Sequence, residues 1–268
     1  MVRMPVVAGQ FYPGTREALR KSVESFLVKK VKKEEAIGAV SPHAGYVYSG
    51  KVAGSVISTL EPKGTYIILG PNHTGLGRPF GLDTSTKWAT PLGEVSIDKE
   101  LADELVASSD HIRYDNVCHS HEHSIEVQIP FFQVLQNDFK IVPIVISYAP
   151  LEVYQKVGRE IADAIKKLRV KDTLIVASSD MTHYEQHDEA KRKDRMAIDA
   201  ILELDEAKLV RTVDEAGITM CGYAPTAIMI TAAKELGARN ARLVNYQTSG
   251  DASGDYTSVV GYAGIVVT

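Results

Sequence analysis

Short runs of apolar residues alternate with amphipathic stretches along most of this chain. Runs rich in valine and isoleucine predict strands at residues 36–40, 66–70, 140–147, 172–177, 241–247 and 258–267. Apolar residues three and four positions apart predict helices at 16–28, 51–60, 99–108, 125–135, 151–168, 189–202, 206–215 and 225–236. Because strand and helix alternate, we predict an α/β fold with a central, mostly parallel or mixed sheet flanked by helices.

Three of the apolar runs end shortly before a histidine, namely His43, His73 and His183. If these runs are neighbouring parallel strands, the three imidazoles meet at the edge of the sheet where open α/β sheets bind ligands. His43 and His73 stand in matching turns, each after a proline and before a glycine. A single histidine in such a turn is more often structural, but a matched pair predicts a shared metal site, since neutral imidazole is a standard ligand for Zn, Fe and Cu.

The segment from residue 118 to 126 is rich in histidine but does not contain the zinc-binding motif H-E-x-x-H. If a helix begins at His123, Glu126 shares its first turn, because residues three and four apart lie on one face. We predict that His123 and Glu126 line the cleft or hydrogen-bond to the ligand residues. His119 and His121 fit a solvated loop.

Asp180 and His183 lie three residues apart, directly after the predicted strand 172–177. This spacing fits a helix N-terminus at which Asp180 caps the helix or accepts a hydrogen bond from an imidazole. His183 would then be free to move a proton. We also predict that Asn72, beside His73, lines the cleft.

The two cysteines, Cys118 and Cys221, are too few for a disulfide framework. Cys221 lies just before the helix predicted from Pro225. A thiol near a helix N-terminus has its thiolate stabilised, so Cys221 is either a ligand or nucleophile or an inert buried thiol. Cys118 has no such context and is expected in the core.

Composition narrows the class of protein. The formal net charge of -4 and the pI of about 6.1 give no basic footprint for nucleic acid. We find no phosphate-binding glycine loop, no signal peptide and no apolar run long enough to cross a bilayer. We therefore expect a single domain over residues 1–268 in a cytoplasmic protein without nucleic-acid or membrane partners.

Taken together, these motifs resemble the Memo family, called system protein B of AmmeMemoRadiSam in prokaryotes. That family is similar in fold to the class III extradiol dioxygenases of the LigB type. The resemblance runs nearly end to end and rests on residues 8–12, 42–46, 70–73, 122–126, 178–180, 220–222 and 258–264.

The resemblance implies that His43, His73 and Cys221 occupy the family's metal positions, with iron or copper as the metal. It also implies that Asp180 and His183 lie in the cleft, with His183 at the position of the acid/base histidine of the dioxygenases. Extradiol enzymes hold Fe(II) with two histidines and one carboxylate. A thiolate in place of the carboxylate is softer and can itself be oxidised, so dioxygenase activity does not carry over to this chain.

Three functions are compatible with the sequence. The leading hypothesis is an oxidoreductase that binds one transition metal ion, Fe(II) or Cu, with Zn also compatible, and acts on an unknown small molecule or peptide. The alternative is a non-catalytic module that binds a peptide or partner in the same cleft, as the phosphopeptide adaptor role proposed for the animal family implies. The weakest hypothesis is a metal-dependent hydrolase, because such sites usually need several carboxylates and only Asp180 is well placed.

Overall fold

The computed structural model describes residues 1–170 and 172–268. Within those residues, twelve strands belong to one mixed sheet. The strands are β1 (Val2–Arg3), β2 (Gly38–Ser41), β3 (Thr65–Pro71), β4 (Phe80–Leu82), β5 (Lys87–Thr90), β6 (Gly93–Ile97), β7 (Arg113–Tyr114), β8 (Lys140–Ile146), β9 (Thr173–Ser178), β10 (His183–Glu185), β11 (Ala241–Thr248) and β12 (Val259–Val267). The strands predicted from apolar runs correspond to β2, β3, β8, β9, β11 and β12.

The predicted helices are all present, with shifts of a few residues at their ends. They are α1 (Arg16–Phe26), α2 (Tyr46–Thr59), α3 (Lys99–Ser108), α4 (Ile129–Leu135, after a 3-10 turn at Glu126–Gln128), α5 (Leu151–Leu168), α6 (His187–Leu202), α7 (Glu206–Glu215) and α8 (Tyr223–Glu235), followed by a short α9 (Gly250–Ser253). Among the described residues, no helix combines the length and the apolar character needed to cross a bilayer.

The centre of the sheet is parallel, and antiparallel pairs flank it on both sides. Strands β6, β8, β3, β9 and β2 are parallel neighbours in that order. On one side β12 pairs antiparallel with β2 and also with β10 and β11. The predicted α/β class with a mixed central sheet is therefore confirmed, and the carboxyl ends of β2, β3 and β9 lie side by side.

Burial makes this centre a rigid platform for the strand ends. Every residue of β3 and β9 is buried. Helices α5 and α8 pack together, α8 packs on β3 and β9, and α2 packs on β2, β11 and β12. Each fully buried large aliphatic side chain contributes about 1.5–3 kcal/mol to the stability of the folded state. These strands are therefore held firmly in place, and the turns that follow them start from fixed positions.

The helix N-terminus expected at Asp180 is absent. After β9 the chain continues without a helix and then forms β10, and α6 begins only at His187. The backbone of this segment bonds to β12 instead: the N–H of Met181 donates to the carbonyl of Gly261, and the N–H of Gly261 donates to the carbonyl of Thr182. Strand pairing therefore satisfies the groups that a helical turn would have used.

Candidate metal centre

Three imidazoles meet at the carboxyl ends of β2 and β3. His43 follows β2 and is buried, His73 follows β3 and is exposed, and His123 lies half-buried in the turn before α4. One ligand atom from each of the three lies within 4.8 Å of the other two. Three neutral nitrogen donors at this spacing can hold a metal ion.

Ring packing holds the three imidazoles against one another. The ring of His73 stacks on that of His123, with centroids 4.7 Å apart, and the rings of His43 and His73 are nearly perpendicular, with centroids 5.1 Å apart. The ring of His123 also packs against that of Phe11, with centroids 4.6 Å apart. Burial lowers the pKa of His123 to about 4 and lowers that of His43 well below 6.5, so both rings are neutral donors near neutral pH.

Glu122 orients His73. One carboxylate oxygen accepts from the backbone N–H of His73 at 2.6 Å, and the other accepts from His73 Nδ1 at 2.9 Å. Because a carboxylate only accepts, Nδ1 carries the proton and Nε2 is left for a ligand. Burial would raise the pKa of Glu122, but the hydrogen bond and charge of His73 and the N–H of Ser124 lower it to about 2. Burial by itself lowers the pKa of His73. The hydrogen bond and the charge of Glu122 raise it by more, so the pKa of His73 lies above its usual value.

Asp180 fixes the turn that carries His43. Its Oδ1 accepts from the backbone N–H groups of His43 at 2.8 Å and Ala44 at 3.3 Å, and its Oδ2 lies 3.9 Å from His43 Nε2. Burial raises the pKa of Asp180 to about 6, although the two N–H groups oppose the shift. This carboxyl group can therefore hold a proton close to neutral pH.

Cys221 lies against His43, with Sγ 3.2 Å from Nε2 of the imidazole. Gly222 permits this approach, because a Cβ at that position would lie 2.4 Å from the carbonyl oxygen of Ser178. Burial, reinforced by the charge of Asp180, raises the pKa of the Cys221 thiol. Burial therefore works against the thiolate that the start of α8 was expected to stabilise.

The structure brings the predicted ligands His43 and His73 together, but with His123 as the third member of the cluster. His123 was predicted only to line the cleft or to support the ligand residues, because it does not follow an apolar strand as His43 and His73 do. Cys221 adjoins the cluster through His43, and its role as a ligand stays a prediction. Glu122 has no predicted role, and its place beside His123 in the sequence is the one signal that points to it.

His183 is oriented by Thr219 rather than by Asp180, which corrects the expected pairing. The Nδ1 of His183 donates to the Thr219 carbonyl at 2.9 Å, and its backbone N–H donates to the Thr219 hydroxyl at 2.7 Å. Nε2 of the half-buried His183 makes no hydrogen bond to the described residues. Its catalytic role, like that of Asp180, stays a prediction.

Glu126 was expected to line the cleft or to hydrogen-bond to the ligand residues, and within the described part of the chain its carboxylate does neither. It is completely buried, and its carboxylate binds the N-terminal segment. The groups that donate to it are the guanidinium of Arg3, the backbone N–H groups of Val6 and Val7, and the hydroxyl of Tyr12. With these donors on its oxygens, Glu126 anchors the N-terminus beside the cluster.

Asn72 shapes the loop that carries His73. Its Nδ2 donates to the carbonyl of Leu76 at 2.8 Å and to the hydroxyl of Ser147 at 3.1 Å. Asn72 also lines a cavity of about 450 Å³ that reaches Cys221. Its predicted position at the cleft is compatible with this geometry.

His119 is not a solvated loop residue. It is buried, its Nε2 lies 2.9 Å from the carbonyl oxygen of Gly81, and its ring packs edge-on against Trp88. The Arg3 guanidinium donates to the His119 carbonyl and so ties this turn to the N-terminus. His121 is exposed, as expected for a loop histidine.

The sequence of this chain is similar to those of known proteins over nearly its whole length. The profile of the Memo-like protein family matches residues 3–266. A MEMO1 family protein of Methanococcoides burtonii is 47% identical over 268 residues, covering 99% of this chain and 100% of the relative. MEMO1 family proteins of Methanopyrus kandleri and Nitrosopumilus maritimus are each 44% identical, with 99% of both chains covered.

One solved structure shares the fold. It is an uncharacterized protein, JW3007, from Escherichia coli K12, with a TM-score of 0.59 and 15% sequence identity. The similarity covers 85% of this chain and 98% of that chain. At this identity the likeness extends to the fold alone.

Proposed function

This chain belongs to the Memo-like protein family, and we propose that it is an oxidoreductase that holds one iron or copper ion in the His43, His73 and His123 cluster. The proposal is carried by one observation, the convergence of three imidazole ligand atoms within 4.8 Å of one another. The family names of its relatives describe membership and carry no activity.

The cluster fits a metal because its ligand atoms are prepared for one. Glu122 engages Nδ1 of His73 and leaves Nε2 with a lone pair. The lowered pKa values of His43 and His123 keep their rings neutral, which metal binding requires. Among the described residues, the group of close ligand atoms consists of these three imidazoles and includes no carboxylate.

The donor types favour iron or copper for the proposed reaction. Imidazole suits Zn, Fe and Cu, whereas a soft sulfur donor favours copper. Cys221 supplies such a sulfur beside the cluster, with Sγ 3.2 Å from His43 Nε2. When bound, iron or copper supplies one-electron chemistry that Zn lacks.

Protein groups beside the cluster would handle protons. Asp180 has a pKa of about 6 and presents Oδ2 3.9 Å from His43 Nε2. His183 donates through Nδ1 to Thr219, and its Nε2 has no hydrogen-bond partner in the described part of the chain. We propose that these two groups move protons to and from a substrate in the cleft, since a positioned carboxyl or imidazole group can act as a general acid or base.

Metal uptake tests the proposal. Protein purified without metal is reconstituted anaerobically with Fe(II), Cu(I) or Zn(II), and bound metal is measured by elemental analysis. We expect one equivalent of iron or copper per chain in the wild type and none in a His43→Ala, His73→Ala variant. His121→Ala, at an exposed histidine outside the cluster, should bind like the wild type. Failure to bind either redox metal, or unaltered content in the double variant, would contradict the proposal.

A second pair of variants identifies the third ligand. We expect His123→Ala to lower the metal affinity by more than about 100-fold, beyond the usual effect of a supporting residue. Cys221→Ser should have the smaller effect if the thiol only adjoins the ion. The reverse order would assign the ligand role to Cys221, as the family resemblance implies.

Exposed aromatic side chains favour one alternative, a peptide or partner binding module. Tyr148 and Tyr184 are 83% and 79% exposed, and Tyr148 lines the cavity that reaches Cys221. Exposed large side chains of this kind are typical of interaction surfaces. This alternative predicts that Tyr148→Ser impairs function in the host while metal-ligand variants such as His73→Ala leave it intact.

A further inference from the structure

A buried hydrogen-bond network surrounds Nδ1 of His43. Its centre is Ser178, the last residue of β9, which is completely buried. The hydroxyl oxygen of Ser178 lies 2.9 Å from His43 Nδ1, 2.8 Å from Nε2 of Gln128 and 2.6 Å from the carbonyl oxygen of Ser124. The proposed function assigns no role to these polar groups.

Contacts to two carbonyl groups fix the orientation of the Gln128 amide. Its Nε2 lies 2.9 Å from the carbonyl oxygen of Pro42 and 3.3 Å from that of Ser41. Carbonyl oxygens only accept, so the amide presents its NH2 group, and not its oxygen, to this side. The same NH2 group therefore donates to the hydroxyl oxygen of Ser178.

The hydrogens available at Ser178 then decide where the proton of His43 lies. A hydroxyl group has a single hydrogen, and the Ser124 carbonyl can only accept it. Since Gln128 also donates, the hydroxyl oxygen of Ser178 must accept from His43 as well. Nδ1 of His43 therefore carries the imidazole proton, and Nε2, which faces Cys221, keeps its lone pair.

We infer that Ser178 is a positioning residue that fixes His43 as the Nδ1–H tautomer and so presents Nε2 as a metal ligand. The purpose of this arrangement rests on the proposed metal function, whereas the tautomer itself does not. Glu122 performs the same task for His73 through a carboxylate. Without a partner at Nδ1, the His43 proton is free to occupy Nε2, where it has to be displaced before a metal binds.

The first test is the tautomer of the metal-free wild-type protein. Long-range proton–nitrogen NMR on protein with ¹⁵N-labelled histidine distinguishes protonated from bare ring nitrogens, and the His43 signals are assigned by their loss in His43→Gln. We expect a protonated Nδ1 and a bare Nε2. A protonated Nε2 in the wild type overturns the inference, whatever the variants do.

The second test removes the hydroxyl group. In Ser178→Ala we expect a mixture of His43 tautomers and an affinity for Zn²⁺, used as a redox-inert probe, that is about 10- to 100-fold weaker. The matched control is Ser41→Ala. Ser41 pairs with Ser178 across β2 and β9 and is equally buried, and its hydroxyl has no hydrogen-bond partner in the described part of the chain. We expect this control to keep the wild-type tautomer and affinity.

The outcomes separate this inference from the proposed function. An unchanged tautomer and affinity in Ser178→Ala, or equal losses in both serine variants, overturns the inference even when the protein binds iron or copper. A wild-type Nδ1–H tautomer in a protein that takes up neither redox metal supports the tautomer assignment and defeats the proposed function.

Discussion

Two buried glutamates four residues apart do different work in this protein. Glu122 and Glu126 are both almost completely inaccessible, at 1% and 0% exposure. Glu126 pairs with the Arg3 guanidinium at 2.8 Å and binds the N-terminal segment. Arg3 donates to the backbone carbonyl of Glu122. The ionisable groups beside the Glu122 carboxylate within the described residues are imidazoles, with Nδ1 of His73 at 2.9 Å and Nδ1 of His123 at 3.5 Å. The nature of the counter-charge therefore separates a structural clamp from a residue that prepares a ligand.

The comparison shows how a buried carboxylate acquires its role. Arginine stays charged at all physiological pH values, so the Arg3–Glu126 pair is a fixed part of the structure. An imidazole gains and loses its proton, so the state of Glu122 and His73 changes with pH and with metal. Each of the following variants tests one side of this distinction.

The largest effect is expected for Glu126→Gln. The substitution leaves Arg3 buried without its counter-charge, so we expect the free energy of unfolding to fall by about 3–5 kcal/mol, measured by urea denaturation. The control is Glu189→Gln, which breaks a solvent-exposed pair with Arg192 and should leave the free energy of unfolding close to that of the wild type. If both variants lose equally little, Glu126 is not a clamp.

A smaller effect, on metal affinity, is expected for Glu122→Gln. The amide no longer accepts strongly from His73 Nδ1, so we expect metal affinity to fall by about 10- to 100-fold, measured by chelator competition. Its free energy of unfolding should fall by about 1–3 kcal/mol, which is less than for Glu126→Gln. The exposed Glu100→Gln serves as the control. Equal metal affinity in wild type and Glu122→Gln would remove the distinction between the two glutamates.

The smallest effect is the pH dependence of the Glu122–His73 pair. The pKa of His73 is raised above 6.5, so its contribution to stability is present below pH 6.5 and is lost as pH rises through the folded-state pKa. The pKa of Glu122 is lowered to about 2 from 4.5, so its contribution is present above pH 4.5 and is lost as pH falls towards 2. The metal-free wild type should therefore exceed Glu122→Gln in stability most clearly between pH 4.5 and 6.5.

Metal binding should show the opposite trend with pH. A metal needs the neutral imidazole of His73, so affinity should rise with pH through the pKa of His73, by at most tenfold per pH unit. Nearby His123 and Asp180 also titrate, so the comparison is made between wild type and Glu122→Gln at each pH. Parallel pH profiles for stability and metal affinity would contradict this account.

The sequence by itself determined the main elements of the fold. Apolar runs located β3 and β9 because these strands are buried along their whole length, and that burial is visible as composition. Short strands such as β4 and β10 could not be predicted, because three residues are too few to show an alternation of apolar and polar positions. The sequence also placed His43 and His73 at one edge of the sheet, since both follow parallel strands directly.

Only the tertiary structure decided which groups meet in the site. Glu122 reaches His73 across 49 residues, and Ser178 reaches His43 across 135. The same folding assigned His183 to Thr219 instead of Asp180 and brought His123 into the cluster. Local sequence patterns record burial and periodicity, whereas a hydrogen bond depends on the positions of two distant atoms to within a few tenths of an ångström, which packing alone sets.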